Sequence, residues 1–295
     1  MLNPSASTRR ALPAFILGVV SLSAVACTTT SPGQAMQDLA TPPADDLAEP
    51  PPPDFATPNG DAGVSTYDSK LIGFWGIKAK AVTTQNIPII GMNKLTNTLL
   101  GVAEFKKNGM NQLVMEQQGC SLTVVQTKGY VTTVPDKIAE TTPLNSGKVS
   151  VFMQGASVLV NREDGAAAAG CKLTTPLTEA LPTMPTDARV FDQDGDGKPG
   201  VTIQIQGTPA GDGFVYVAQR QKYSYQGTLV SDTKMTGAYL DRSEQTILDT
   251  TNASFRFPPA QTHVDGESVY EMVKLSAKYD CVKLRAEAPT LFTLK

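Results

Sequence analysis

Charge is scarce in this chain. Only 18% of its 295 residues are Asp, Glu, Lys or Arg, against roughly 25% in an ordinary soluble domain. The 25 basic residues face 28 acidic ones, so there is no basic field for nucleic acid and no nucleic-acid partner is expected. Histidine occurs once, at His263. That excludes a histidine-rich metal centre, and the surrounding "FPPAQTHVDGE" reads as a surface loop rather than the seat of a general base. The sequence has no G-x-S-x-G elbow, and no cysteine pair has zinc-ligand spacing. No long stretch carries a helical period. The apolar run Ala11 to Ala26 has 16 residues, short of the roughly 20 that cross a bilayer.

What is present begins with that run. Arg9 and Arg10 precede it and small residues close it, so residues 1–26 read as an export signal. Its end, "LSAVAC", resembles the lipobox of bacterial lipoproteins. Val25 and Ala26 fit that pattern, while Ala24 stands where leucine is commonest. The resemblance implies acylation of Cys27 and a lipid membrane as partner. Ala24-Val25-Ala26 also satisfies the small-x-small rule of ordinary secretory cleavage, which would leave Cys27 as a free thiol.

Residues 27–66 hold eight of the 21 prolines, six acidic residues and no Lys or Arg. A unit recurs every eight residues: Asp38 to Pro42, Asp46 to Pro50, Asp54 to Pro58. Such a segment has too little apolar mass to fold alone, and its proline bias makes it extended and stiff. The expectation is a disordered tether that lifts a domain off a surface. At about 3.1 Å per residue a polyproline-like segment of this size spans roughly 120 Å. Beyond it, residues 67–295 are nearly balanced at 23 basic and 22 acidic residues, so electrostatic steering of a charged partner is not expected.

Residues 67–295 read as one all-β domain, an antiparallel barrel or a sandwich. Short runs rich in Val, Thr, Tyr and Phe recur between turn signals. They include Leu71 to Val82, Leu99 to Lys106, Met110 to Gln117, Val149 to Met153, Ser157 to Val160, Val201 to Gln206, Gly213 to Gln219, Tyr223 to Val230, Met235 to Leu240, Gln245 to Leu248, Ala253 to Phe257 and Val269 to Leu275. Lys107-Asn108-Gly109 is one hairpin signal. Lys128-Gly129, between Ser121 to Thr127 and Tyr130 to Val134, is another. Gly73-Phe74-Trp75 resembles the G-x-W signature of lipocalins, which implies a closed eight-stranded barrel plugged by the tryptophan. A core aromatic on a first strand explains the same residues.

"FDQDGDGKPGVTIQI", residues 191–205, carries the one ligand-like pattern. Asp192, Asp194 and Asp196 occupy alternate positions of a D-x-D-x-D-G frame, and Gly197 falls where calcium loops turn sharply. Alternation crowds three carboxylates on one loop, and hard oxygen ligands suit Ca2+. The backbone carbonyl of Lys198 is a further expected ligand, and Asp187 is a candidate for a missing carboxylate. Ile203 stands where an EF-hand has glutamate, and Pro199-Gly200 lead into a strand instead of a helix. A plain Asp/Gly turn without an ion explains the same spacing.

The segments "LPTMPTDARVFDQDGDGKPGVTI", "GFVYVAQRQKYSYQGTL" and "EQTIL" resemble a group of uncharacterised exported lipoproteins of Gram-negative soil bacteria. The resemblance implies location and architecture, not activity. With Cys27 acylated, Cys120, Cys171 and Cys281 remain, and export favours one bridge among them. Cys120 and Cys281 adjoin strand-like runs (Val114 to Cys120, Cys281 to Leu284) and are the favoured pair. Cys171 follows the flexible-looking "GAAAAG". Glu163-Asp164 reads as a solvated turn.

The expectation is therefore an outer-membrane or cell-surface lipoprotein with an envelope or extracellular ligand. It is read as non-enzymatic, a binding or structural module with a calcium-stabilised loop. An envelope glycan or ester hydrolase, or a barrel carrying a small apolar ligand, are the alternatives.

Overall fold

The computed structural model describes residues 66–87, 91–257 and 260–295. The export signal, Cys27 and the proline-rich segment lie outside the described residues. In chain order the elements are α1 (Thr66–Leu71), β1 (Gly73–Ile87), β2 (Gly91–Lys107), β3 (Leu113–Gln126), β4 (Val131–Thr133), α2 (Asp136–Thr141), β5 (Asn145–Gln154), β6 (Ser157–Ala169), β7 (Val201–Gln206), β8 (Gly213–Ser231), β9 (Lys234–Asp241), β10 (Glu244–Thr250), β11 (Gln261–His263), β12 (Val269–Lys274) and α3 (Cys281–Leu291).

Eight strands close into a barrel. The ring runs β1-β2-β3-β5-β6-β8-β9-β12, and β12 pairs back onto β1 through Trp75 opposite Lys274 and Ile77 opposite Met272. Every pairing is antiparallel and ring order follows chain order, so this is an up-and-down barrel without free edges. The period of two is plain on β1: Trp75, Ile77, Ala79 and Ala81 are buried inward, while Lys78 and Lys80 are half-exposed between them. One rim of the barrel is closed by α1, whose Leu71 carbonyl accepts the Trp75 indole N–H at 2.7 Å. Phe105 packs edge-on to Trp75, with ring centroids 5.8 Å apart. Trp75 is thus a fully buried aromatic on the first strand, held against α1.

The barrel interior is packed. Around Trp75 lie Ile77, Phe105, Met115, Met235 and Met272, all at most 1% exposed. Farther in, Tyr223, Tyr225, Tyr239 and Tyr270 form a ring cluster. Gly227 and Gly237 face each other across β8 and β9, and a Cβ at Gly227 would sit 2.2 Å from the Tyr270 hydroxyl. The tyrosine fits only because that position has no side chain.

The first half of β8 leaves the ring. Gly213 to Val217 pairs with β7 on one side, Val215 to Arg220 with β10 on the other, and β4 adds to β7. This outlying sheet has its own core of Val201, Val215, Val217, Ala169 and Ile138. It carries the aspartate loop, which runs straight into β7.

Several sequence expectations change. Tyr130 to Val134 does not fold back on β3, because β4 pairs with β7. The Asn108-Gly109 hairpin is a wider loop over residues 108–112, with Asn108 Oδ1 accepting the N–H groups of Met110 and Gln112 and Asn111 at φ 57°. Gly213 to Gln219 and Tyr223 to Val230 merge into one strand. Ala253 to Phe255 is a single helical turn capped by Asn252. "GAAAA" is the buried end of β6, not a flexible run, and Glu163-Asp164 occupies a bulge in that strand. Cys281 to Leu284 is the start of α3. Asp280 caps it by accepting the Lys283 N–H, and Leu284 and Ala288, four apart, face the barrel wall with Phe292.

Candidate functional site

The aspartate loop is built by its own backbone. Asp192 accepts the N–H groups of Gly195 (2.7 Å), Asp196 (3.2 Å) and Gly197 (2.8 Å) on its two carboxylate oxygens. Asp194 Oδ2 accepts the Thr202 N–H at 2.8 Å. Asp196 accepts the Lys198 N–H at 2.8 Å and the Thr202 hydroxyl at 2.5 Å. Two carboxylates therefore hold the second residue of β7, which is the local reason the loop opens into a strand. Gly200, at φ 82°, closes the base: its N–H donates to the Phe191 carbonyl and its own carbonyl accepts the Gln193 N–H. A Cβ there would lie 2.4 Å from the Val217 carbonyl oxygen.

The three aspartates come together as the spacing predicts, with one carboxylate oxygen from each lying within 4.8 Å of the others. Lys198 lies in the same loop and bonds Asp196 through its N–H. The electrostatics are unequal. The N–H groups of Gly197 and its neighbours hold the Asp192 carboxyl below its ordinary range. Burial, aided by the neighbouring Asp196 and Asp192, pushes the Asp194 carboxyl up. Asp194 Oδ1 is buried and has no hydrogen-bond partner. Such an oxygen takes a proton or a cation in preference to standing charged and unpaired.

Asp187 is not part of this cluster. Its carboxylate is committed to Arg189, at 3.0 Å from Nε and 2.8 Å from Nη2, and that guanidinium holds its carboxyl down at about 2. The short Asp-x-Arg spacing lets the pair close locally, so Asp187 is unavailable to the loop.

Three residues that matter here were missed in the sequence reading. Lys137, on α2, donates its ammonium to the Asp194 carbonyl at 2.5 Å. Gln193, between two of the aspartates, is buried. Its Oε1 accepts the Gly170 N–H at 2.6 Å, while Nε2 reaches Ile138 O, Thr141 Oγ1 and Thr142 Oγ1. The alternation did contain a signal, because a residue between outward aspartates must point inward. Thr202 supplies the remaining contacts.

The cysteines pair as expected: Cys120 and Cys281 form a disulfide, and Cys171 is a buried free thiol. Burial pushes that thiol's pKa up, which makes it a poor nucleophile. His263 is half-buried in β11 opposite Thr83. Inside the barrel, Arg162 is 2% exposed. It donates to the carbonyls of Tyr223 (2.7 Å) and Asn145 (3.1 Å), and its guanidinium lies 5.2 Å from the Tyr223 ring centroid. Tyr225 donates to Gln117 at 2.7 Å. A groove of about 690 Å³ lies outside the barrel, between α3 and β1, β2 and β3, and Lys78, Leu100, Arg285 and Phe292 are among its lining residues. No described helix is long and apolar enough to cross a membrane.

No family model, curated protein or solved structure matches this chain.

Proposed function

We propose that this chain is an exported lipoprotein of the cell envelope, held at the outer membrane or cell surface through acylated Cys27. Residues 27–66 act as its spacer, and the barrel is a non-enzymatic binding or structural module. The observation that carries the module reading is the packed interior. An apolar carrier needs space beneath Trp75, and Phe105, Met115, Met235 and Met272 occupy that volume. The lipid reading rests on "LSAVAC" and the proline-rich segment behind it.

The aspartate loop belongs to this reading as a structural Ca2+ site. Its ligands are Asp192, Asp194 and Asp196, with the Lys198 carbonyl added. The convergence of three carboxylate oxygens and the unpartnered Asp194 Oδ1 support it. A site of about 10⁻⁴ to 10⁻³ M affinity suffices outside the cytoplasm, and a hundredfold excess over Kd adds roughly 2.7 kcal/mol to stability.

Two measurements test the proposal. Metabolic labelling with a fatty-acid analogue should mark the wild type and not Cys27→Ser; equal labelling of both removes the anchor. Calorimetry with Ca2+ and with chelator should give different melting temperatures for the wild type and equal ones for Asp194→Ala. A wild type indifferent to both leaves the plain Asp/Gly turn.

A further inference from the structure

The disulfide fixes α3 against the outer wall of the barrel, and the groove of about 690 Å³ lies between helix and wall. Its floor follows from strand register. Lys78 on β1 stands opposite Leu100 on β2, and Leu100 stands opposite Ser121 on β3. Two residues along, Thr98 stands opposite Thr123. Register slips at Cys120, which has no partner on β2. Cys120 therefore bonds Cys281 of α3, while Ser121 beside it lines the groove. Ala288 of α3 and Phe292 just after it supply the apolar wall on the other side. Gly76 lets that wall come down, because a Cβ there would lie 3.2 Å from the tip of the Phe292 ring.

The polar groups of the floor are uncommitted. Among the described residues, the Lys78 ammonium and the hydroxyls of Thr98, Ser121 and Thr123 have no hydrogen-bond or ion-pair partner. Ser121 is only 8% exposed, so its hydroxyl is left to the groove. No acidic side chain lines the groove. Glu271 lies opposite Lys78 on β12, but Lys234 engages it at 2.9 Å and the N–H groups of Thr293 and Leu294 engage it at 3.0 and 2.6 Å. Arg285, also in the lining, is held by Glu140 at 2.6 Å. Lys295 is exposed, and solvent screens its charge. Lys78 thus brings to a half-covered floor a positive charge that no protein carboxylate balances.

We infer that this groove binds a small amphiphilic monoanion, a carboxylate on a short apolar chain, with its head on Lys78 and Ser121 and its chain along Leu100, Ala288 and Phe292. The inference rests on the binding-module reading above and gives that module its site and ligand class. Three features select the occupant. The unbalanced ammonium and the lack of lining acids select an anion, which ammonium and hydroxyls hold by charge-assisted hydrogen bonds. The apolar wall selects an organic anion over an inorganic one. The volume falls within the range of about 300–1,000 Å³ typical of small-molecule sites.

The test uses the full exported chain carrying Cys27→Ser, which keeps it in solution, and calorimetric titration with octanoate and with 1-octanol. Octanoate should saturate one site, and 1-octanol, the same chain without the charge, should bind about tenfold more weakly. Lys78→Gln should lower octanoate affinity about tenfold and leave that of 1-octanol unchanged. Thr123→Phe, at an exposed position, fills the groove and should abolish binding of both. Lys148→Gln, exposed on β5, should bind as the wild type does, and all three variants should keep the wild-type melting temperature. Equal affinity for octanoate and 1-octanol, or equal behaviour of Lys78→Gln and Lys148→Gln, overturns the inference. Octanoate binding that survives both Lys78→Gln and Thr123→Phe also overturns it, by placing the ligand elsewhere, and leaves the binding module standing. No saturation by octanoate overturns the inference and leaves the module a structural one. Steady release of p-nitrophenol from p-nitrophenyl octanoate, lost in Lys78→Gln, keeps the site and overturns the non-enzymatic reading instead.

Discussion

Removing the disulfide is the most informative perturbation of the fold. Cys120 and Cys281 are 161 positions apart, and closing so long a loop restricts the unfolded chain by at most about 5 kcal/mol, with typical measured gains of about 2–4. In a domain of this size that corresponds to a drop of about 5–15 °C in melting temperature. The bond also pins the first residue of α3 to the barrel wall, where Leu284, Ala288 and Phe292 bury their side chains. Arg285 adds contacts to Glu140 at 2.6 Å and to the Cys120 carbonyl at 2.8 Å. Burial of Leu284 alone is worth about 1.5–3 kcal/mol, so the helix should stay docked without the bond but open more often. The variant is Cys120→Ala with Cys281→Ser, which leaves no stray buried thiol in the pair. Its melting temperature should fall by the stated amount and should not respond to reductant, whereas the wild type should fall to about the same value when reduced. Hydrogen exchange should show α3 amides of the variant exchanging well before those of β1 and β2. Identical melting of the wild type with and without reductant would refute the argument that this crosslink restrains the unfolded chain.

Other outcomes follow from single contacts. Gly227→Ala places a methyl against the Tyr270 hydroxyl and the Thr236 carbonyl and should cost about 1–3 kcal/mol in chemical denaturation. Gln193→Leu orphans the Gly170 N–H and removes the Nε2 bonds to Ile138, Thr141 and Thr142; denaturant midpoints should register a loss of about 1–3 kcal/mol. Asp187 is held down at about 2 by Arg189. Its folded pKa lies below the unfolded value, so its contribution is present above about pH 4 and is lost as pH falls through about 2. Carbon-13 titration of Asp187 should show that midpoint in the wild type and a rise toward the ordinary value in Arg189→Gln.

Strand positions were legible because burial on one face of a strand writes itself as a period of two. Trp75, Ile77 and Ala79 against Lys78 and Lys80 are the clearest case. The loop aspartates were legible for a similar reason, since three carboxylates within five positions have few ways to avoid one another. Helix α3 was not: it is short, contains Pro289, and buries only Leu284 and Ala288 along its length, too few to make a periodic signal. β4 was misassigned because a run of three residues carries no information about which edge it joins.

The amino-acid sequence by itself determined the antiparallel β class and the crowding of Asp192, Asp194 and Asp196, which follow from local alternation and spacing; it favoured Cys120 with Cys281 without deciding the pair. Tertiary structure alone decided the rest. Closure of β12 onto β1 made the sheet a barrel and not a sandwich, and it brought Arg162 among the tyrosines of distant strands. Folding also set Lys137 beside an aspartate 57 positions away. These are long-range pairings, set by register and by the cost of leaving a buried polar group unpaired, and neither is written in any one stretch of chain.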